Sequence, residues 1–292
     1  MEEVLRDPDR GPRVRAVLPV HVAGDVRGME SIRESCARRG VPVVEDAAES
    51  LGSTHKGRHA GTFGVLAALS FNGNKVITTG GGGMIVSMLG AIVGDIIGST
   101  YEFLGEKRHD ILLFAHGSTF TDDTVLTVAV AESLLTGRDY VDTFKEFSRR
   151  HPNRGYGTHY YVWMKSENRQ PYNSWGNGSA MRVSPVAWAR DTLEDVLAEA
   201  ERSAAVTHDH PEGIAGAQAT ALAVFLARVG ADKQEIKAQV TARFGYDLDR
   251  TPDEIRPEYE FDVSCQGSVP ESIICFLHSE SYEDAIRLAA SL

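Results

Sequence analysis

Apolar residues are spaced differently at the two ends of this chain. Residues 14–20 (VRAVLPV) and 42–45 (PVVE) are short apolar runs on either side of a helical stretch from about Gly28 to Arg39. A third run, Leu66 to Phe71, precedes the glycine cluster Gly80 to Gly83 and then MIV. Short buried strands separated by one helix predict a βαβ unit of an α/β domain. Beyond Met88 the period lengthens. Apolar positions recur every three or four residues in 88–104, 123–135, 192–206, 212–229 and 283–292, as Val125, Val128, Ala129 and Leu135 illustrate. Strand signals nearly vanish there, so this part is expected to be all-α. The expected fold class is therefore mainly α: an all-α domain over 88–292, preceded by a small, incomplete α/β fragment over 1–87.

Charge marks the same boundary. Of the 30 Lys+Arg and 41 Asp+Glu, residues 1–87 hold 11 and 10, leaving 19 basic and 31 acidic residues for the remainder. A −12 segment lacks the clustered Lys and Arg that would grip a nucleic-acid backbone nonspecifically. An anionic ligand there would need a cation or backbone N–H groups to offset the field.

The apolar stretch Met84 to Thr100 is broken by Asp95, Gly90, Gly94 and Gly98, and is marginal in length for a membrane span. A buried helix is expected instead, with no membrane partner. Its glycines are expected to let another helix approach closely. Cys36, Cys265 and Cys275 are scattered, without CxxC spacing, which argues against a disulfide framework or zinc site. With charged residues where a signal peptide would be apolar, a cytoplasmic location is expected.

Candidate chemistry in the first segment consists of Asp46 at a strand end, Ser70 after another strand, and Lys75 just before the glycine-rich turn. A solvated lysine and a strand-end carboxylate would account for these residues taken singly. The run EDAAESLG…SFNGNKVITTGGGGMIV, over about residues 13–87, resembles the sugar aminotransferases that use pyridoxal phosphate. That resemblance implies Lys75 as the Schiff-base lysine, Asp46 as partner of the pyridinium nitrogen, and Ser70 near the phosphate. Gly81 stands where that family has glutamate, and only 45 residues precede Asp46, too few for the family's upstream phosphate turn. The segment is expected to be a remnant that holds no pyridoxal phosphate.

In the second segment, Thr121-Asp122-Asp123-Thr124 is a dense set of hard oxygen donors, suited to Mg²⁺, Mn²⁺ or Ca²⁺ rather than zinc. The same residues also suit a helix N-terminus through capping and the dipole. Glu102 is expected at the far end of the apolar helix that begins MLGAIVGDIIGSTYE. GNGSAMRVSP (176–185) is a glycine-flanked turn able to present backbone N–H groups to an anion. THDHPEGIAGAQATALAVFLAR (207–228) places His208 and His210 before a small-residue helix, where they could equally be helix-entry polar residues.

In this order the four stretches resemble the ADP-ribosylglycohydrolase family across nearly all of 88–292. The resemblance implies an all-α fold with a binuclear Mg²⁺ (or Mn²⁺) centre in a cleft. It implies Glu102, Thr121, Asp122 and Asp123 as metal ligands, with Glu102 or Asp123 also orienting or deprotonating the attacking water. Gly176, Asn177, Gly178, Ser179, Met181 and Arg182 would cradle the diphosphate and ribose, and His208 would contact ADP-ribose. The substrate implied is an ADP-ribosylated protein or small molecule. The family completes its metal site with an Asp-x-Asp-Thr element after a helix resembling SYEDAIRLAASL, and Leu292 falls on that helix. Activity is therefore expected to be impaired. A non-catalytic ADP-ribose-binding module and an aminotransferase fragment are the alternatives.

Overall fold

The computed structural model describes residues 14, 16–21, 25–47, 50, 54–56, 58–61, 63–64, 66–68, 89–102 and 107–292. The chain divides into two compact units, Met1–Ser87 with Glu280–Tyr282, and Met88–Ser279 with Glu283–Leu292.

The first unit contains helix α1 (Met29–Ala37) and strands β1 (Val44–Asp46), β2 (Thr54–His55), β3 (Arg58–His59) and β4 (Leu66–Ala68). β1 and β4 pair in parallel, Val44 with Leu66 through Asp46 with Ala68, while β2 and β3 form a small antiparallel hairpin. The 14–20 run contributes parallel bridges, Val17 with Val43 and Val20 with Asp46, rather than a full strand. Val26, Met29, Cys36, Val43, Ala60 and Phe63 form the local core. Glu45 is fully buried beneath it, and its carboxylate accepts from Gly61 N at 2.9 Å, Gly64 N at 2.6 Å and pairs with His21 Nε2 at 2.9 Å. A buried carboxylate is tolerable when so many donors meet it.

The second unit is helical throughout its described length: α2 (Leu89–Gly98), α3 (Asp122–Thr136), α4 (Tyr140–Arg150), α5 (Thr158–Lys165), a 3₁₀ turn (Asn177–Ser179), α6 (Val186–Ala189), α7 (Leu193–Ala205), α8 (Pro211–Arg228), α9 (Lys233–Phe244), α10 (Pro252–Ile255), α11 (Cys265–His278) and α12 (Tyr282–Ala290). Side-chain caps set most starts. Thr192, Asp232 and Ser264 each accept the N–H of the third helical residue, and Thr251 with Glu254 forms a capping box. Gly137 and Gly245, in left-handed conformation at φ +72 and +70, close α3 and α9.

Helix α8 is the hub, with α6, α7, α9, α11 and the 3₁₀ turn packed around it. Its Ala217, Ala219, Ala221 and Leu222 are completely buried, and the three alanines set short interhelical distances. Gly216 permits the closest approach: a Cβ there would lie 2.3 Å from Cys265 Sγ. At Gly98, among the described residues, nothing lies within 4 Å of where a Cβ would be.

Helix α2 also ends earlier than its apolar pattern suggests, at Gly98 rather than near residue 104. Ser99 and Thr100 turn their hydroxyls back onto the carbonyls of Ile96 and Ile97, competing with helix continuation. Glu102 therefore sits in the following turn, its N–H bonded to Gly98 O at 3.1 Å. Pro270 lies inside α11, which begins five residues before it. Among the described residues no helix is long and apolar enough to cross a membrane, and Cys36, Cys265 and Cys275 are all free and buried.

Candidate active site

Thr121 is the N-cap of α3, in extended conformation, and its hydroxyl accepts from Asp123 N at 3.3 Å. The stronger organiser of this end is Asp95, on α2. Its Oδ1 accepts from Thr121 Oγ1 at 2.5 Å, and its Oδ2 accepts from Thr121 N (2.8 Å), Thr124 N (3.2 Å) and Thr124 Oγ1 (2.5 Å). A carboxylate at the positive end of a 15-residue helix is favoured by the dipole as well as by these bonds. Asp122 N is taken up by Arg154 O at 2.7 Å, and Gly155, at φ +93, lies so close that a Cβ would come 3.3 Å from Asp122 Oδ1. Arg154 itself stacks on Phe120, 3.7 Å from the ring centroid.

The carboxylates crowd one another. Burial, followed by the charge of Asp123, pushes Asp122 up to about 8. Burial, followed by Asp95 and Glu102, pushes Asp123 up to about 7. Glu102 is exposed as a residue, yet the protein around its carboxyl, and then Asp95, raise it too. The shifts of Glu102, Asp122 and Asp123 place these three within electrostatic reach of one another and of Asp95. The donor chemistry fits a hard divalent cation: oxygen ligands whose charge is opposed chiefly by burial and by one another. Among the described residues, no group of three or more His, Cys, Asp or Glu side chains closes to metal-holding geometry.

The glycine turn is fixed from two sides. Gly176 bridges to Ser264, with Asn177 N donating to Val263 O (2.8 Å) and Cys265 N to Trp175 O (2.9 Å). Asn177 Nδ2 reaches Ser268 Oγ at 3.1 Å. Ser179 is fully buried and donates its hydroxyl to Gly213 O at 2.6 Å, anchoring the turn to α8. Met181 is half-buried against the core, and its carbonyl receives Thr127 Oγ1 of α3 at 3.5 Å.

His208 leans over this turn. Its Nε2 would be 3.0 Å from a Cβ on Gly178 and 3.6 Å from one on Gly176. Nδ1 pairs with Thr207 Oγ1 at 2.7 Å, and the ring lies 6.0 Å from that of Tyr172. Burial, and then the Arg182 cation, hold His208 well below the usual histidine range. His210 instead caps α8, accepting from Glu212 N through Nδ1 at 3.1 Å.

Two predicted residues occupy different places from those expected. Arg182 does not reach the open side of the turn: it is completely buried, lies 4.4 Å over the Phe144 ring, and donates to Ser203 O and Thr207 Oγ1. Its acceptors are provided by α7 and the segment after it, which draw the guanidinium inward. The Ser179 side chain likewise faces the core, so the turn offers backbone rather than that hydroxyl. Asp46 ends β1 as expected, half-buried, while Ser70 and Lys75 lie outside the described residues.

Sequence reasoning missed five contributors. Asp95 was an interruption in an apolar run, although an acid there already implied a buried role. Arg154-Gly155 carried only the glycine doublet of RGYG as a signal. Trp175, exposed beside the turn and edge-on to His210 at 5.7 Å, was an aromatic directly preceding GNG. Thr207 gave no signal at all.

Known proteins resemble both parts of the chain. Residues 84–292 match the family model for ADP-ribosylglycohydrolase, and residues 11–107 match that of the DegT/DnrJ/EryC1/StrS aminotransferase family. The ADP-ribosylhydrolase ARH3 of Gallus gallus is 32% identical, over 51% of this chain and 51% of its own length. GDP-perosamine synthase of Caulobacter vibrioides is 47% identical, over 26% of this chain and 20% of its own length. The chain thus spans about half of the one relative and a fifth of the other. A solved ADP-ribosylglycohydrolase-related protein complex shares the fold, with a TM-score of 0.55, 23% identity, and coverage of 70% of this chain and 78% of that one. With more than half its length matched by one family model, and an acidic helix start, a glycine turn and a histidine arranged as described, this chain belongs to the ADP-ribosylglycohydrolase family.

Proposed function

We propose that residues 88–292 bind the ADP-ribosyl group of a modified protein or small molecule and cleave its glycosidic bond with the help of a divalent cation, Mg²⁺ or Mn²⁺. The observation that carries this reading is the crowding of Glu102, Asp122 and Asp123 beside the Thr121 hydroxyl, with Asp122 and Asp123 pushed up to about 8 and about 7. Such a set is unfavourable by itself and favourable around a cation. Thr121, Asp122, Asp123 and Glu102 would hold the metal, which when bound supplies positive charge to order the ribose hydroxyls and water. Glu102 and Asp123 are the candidates to orient that water or accept its proton. The accumulating positive charge of an oxocarbenium-like state is favoured by nearby carboxylates.

The Gly176–Gly178 backbone and His208 Nε2 would take the diphosphate and ribose oxygens, and the exposed indole of Trp175 offers a face for a purine ring. Arg182 and Ser179 support this turn from behind. The assay is release of ADP-ribose from an ADP-ribosylated substrate with Mg²⁺ or Mn²⁺, compared with chelator and with Asp123→Asn. Release that is indifferent to both would overturn the metal role.

A second reading has one observation in its favour. The described donors, one hydroxyl and three carboxylates, do not close a metal site among themselves, so the chain would then bind ADP-ribose without turnover. Saturable ADP-ribose binding with no release in any metal would establish it. For residues 1–87 we infer an aminotransferase-like remnant without transaminase activity, since Gly81 stands where that family has glutamate.

A further inference from the structure

Arg182 is a costly residue for a purely structural position. It is completely buried, with no carboxylate bonded to it, and Nε and Nη1 have no hydrogen-bond partner among the described residues. An apolar side chain of similar volume would serve packing against Phe144 as well or better. Its hydrogen bonds go from Nη2 alone, to Ser203 O at 2.9 Å and to Thr207 Oγ1 at 3.0 Å. Thr207 is itself fully buried, and its Oγ1 lies 2.7 Å from His208 Nδ1.

A threonine hydroxyl has one proton to give and two lone pairs to fill. Arg182 fills one lone pair. The Tyr172 phenol also reaches this hydroxyl, and as a neutral phenol it can fill the second lone pair. The hydroxyl's own proton is left for His208 Nδ1. We propose that Arg182 is a positioning residue: by donating to Thr207 it commits the Thr207 proton to His208 Nδ1 and fixes His208 as the neutral Nε2–H tautomer, a hydrogen-bond donor facing the Gly176–Gly178 turn. The acceptor it awaits is an oxygen of the bound nucleotide diphosphate-sugar, and that part rests on the function proposed above. The imidazole cannot take a second proton easily beside the Arg182 cation, so the donor stays neutral and singly oriented.

The test uses the full chain with ¹⁵N-labelled histidine, His208 being assigned by the resonances lost in His208→Gln. In the native protein Nδ1 should resonate as an unprotonated imidazole nitrogen and Nε2 as a protonated one. Thr207→Val and Arg182→Gln should shift His208 to a mixture of tautomers, and Thr207→Ser should restore the single form. In parallel, calorimetric titration with free ADP-ribose should show roughly tenfold weaker binding in Thr207→Val, about the value of one lost hydrogen bond, with recovery in Thr207→Ser. An Nδ1–H tautomer in the native protein, or an unchanged tautomer in Thr207→Val, overturns the relay even if Arg182→Gln fails to fold. Absence of ADP-ribose binding by the native protein overturns the proposed function instead, and the spectra still decide the tautomer.

Discussion

Asp95 holds Thr121 at two points, taking the hydroxyl on Oδ1 at 2.5 Å and the backbone N–H on Oδ2 at 2.8 Å. The same Oδ2 takes the N–H and hydroxyl of Thr124, so one side chain of α2 caps α3 and turns Thr121 into place. Asp95→Asn swaps an acceptor oxygen for a donor nitrogen in this nest. Relief of charge repulsion on Asp123 works the other way, but charge-assisted hydrogen bonds are each worth about 1.5–3 kcal/mol and several are lost. A net loss of about 1–3 kcal/mol is expected in urea unfolding at neutral pH without metal. An unchanged midpoint would show that Asp95 is not the organiser of this helix end.

Gly216 and Gly98 separate two uses of glycine. Gly216→Ala would place a methyl group 2.3 Å from Cys265 Sγ and 2.7 Å from its Cβ. Forcing α8 and α11 apart should cost about 1–3 kcal/mol, more than the roughly 1 kcal/mol that alanine gains over glycine in a helix. Gly98→Ala meets nothing within 4 Å among the described residues and should be neutral or stabilising by up to about 1 kcal/mol. Thermal unfolding of the two variants should therefore move in opposite directions, or in one direction for Gly216→Ala alone.

How far the sequence revealed this follows from the range of each interaction. Helical periods located α3, α7, α8 and α12 to within a few residues, because caps such as Thr121 and Thr192 and closers such as Gly137 act locally. Helix α4 was overlooked: its Phe144 and Ser148 are fully buried and Lys145 nearly so, and a buried lysine reaching the carbonyls of Trp163, Ser166 and Asn168 does not read as an apolar stripe. Thr121, Asp122 and Asp123 were legible because three hard donors stand adjacent. Asp95 and Thr207 were not, since each acts through a partner brought to it by tertiary packing. The resemblance implies Arg182 as a ligand contact, and only the fold shows its guanidinium turned toward Ser203.

The buried His208 makes a pH prediction with a definite sign. In the folded protein its pKa lies well below the usual value of about 6.5, through burial and Arg182. Above about pH 6.5 both folded and unfolded chains carry it neutral, so it does not bear on stability. Below that the unfolded chain takes up a proton and the folded one does not, so stability falls as pH drops, by about 1.4 kcal/mol per pH unit at most. His208→Gln removes this titration. Between pH 7 and 5, unfolding free energy should decline more steeply in the native protein than in the variant, and parallel declines would place the histidine in a proton-accessible state.

Residues 13–87 retain the pattern of a pyridoxal-phosphate site in Asp46, Ser70 and Lys75, of which Asp46 stands at the end of β1. Much of a phosphorylated cofactor's affinity comes from anchoring its phosphate. With Gly81 where the resembled family has glutamate, Lys75 is expected to form no stable Schiff base. Titration with micromolar pyridoxal phosphate should yield no stoichiometric absorption band that Lys75→Ala abolishes. Such a band would restore the cofactor to this segment.

The acidic start of α3 leads to the sharpest metal test, because metal-free stability and metal response should change in opposite ways. Burial and then Asp123, Glu102 and Asp95 raise the Asp122 pKa, against a contact with its own backbone N–H that lowers it. Asp122→Asn therefore removes a crowded charge at nearly constant shape, and metal-free stability should stay level or rise. A divalent cation that binds the folded state alone stabilises it by RT ln(1 + [L]/Kd), about 1.4 kcal/mol at ten times Kd. Mg²⁺ seeks six oxygens and sheds water reluctantly, and one hydroxyl with three carboxylates meets only part of that demand. The native chain should accordingly gain stability only at millimolar Mg²⁺ or Mn²⁺, above the effect of NaCl at equal ionic strength. Asp122→Asn should lose that gain while retaining or exceeding the native metal-free midpoint. A variant that is less stable without metal but equally responsive to it would mean that Asp122 serves the helix and not a cation.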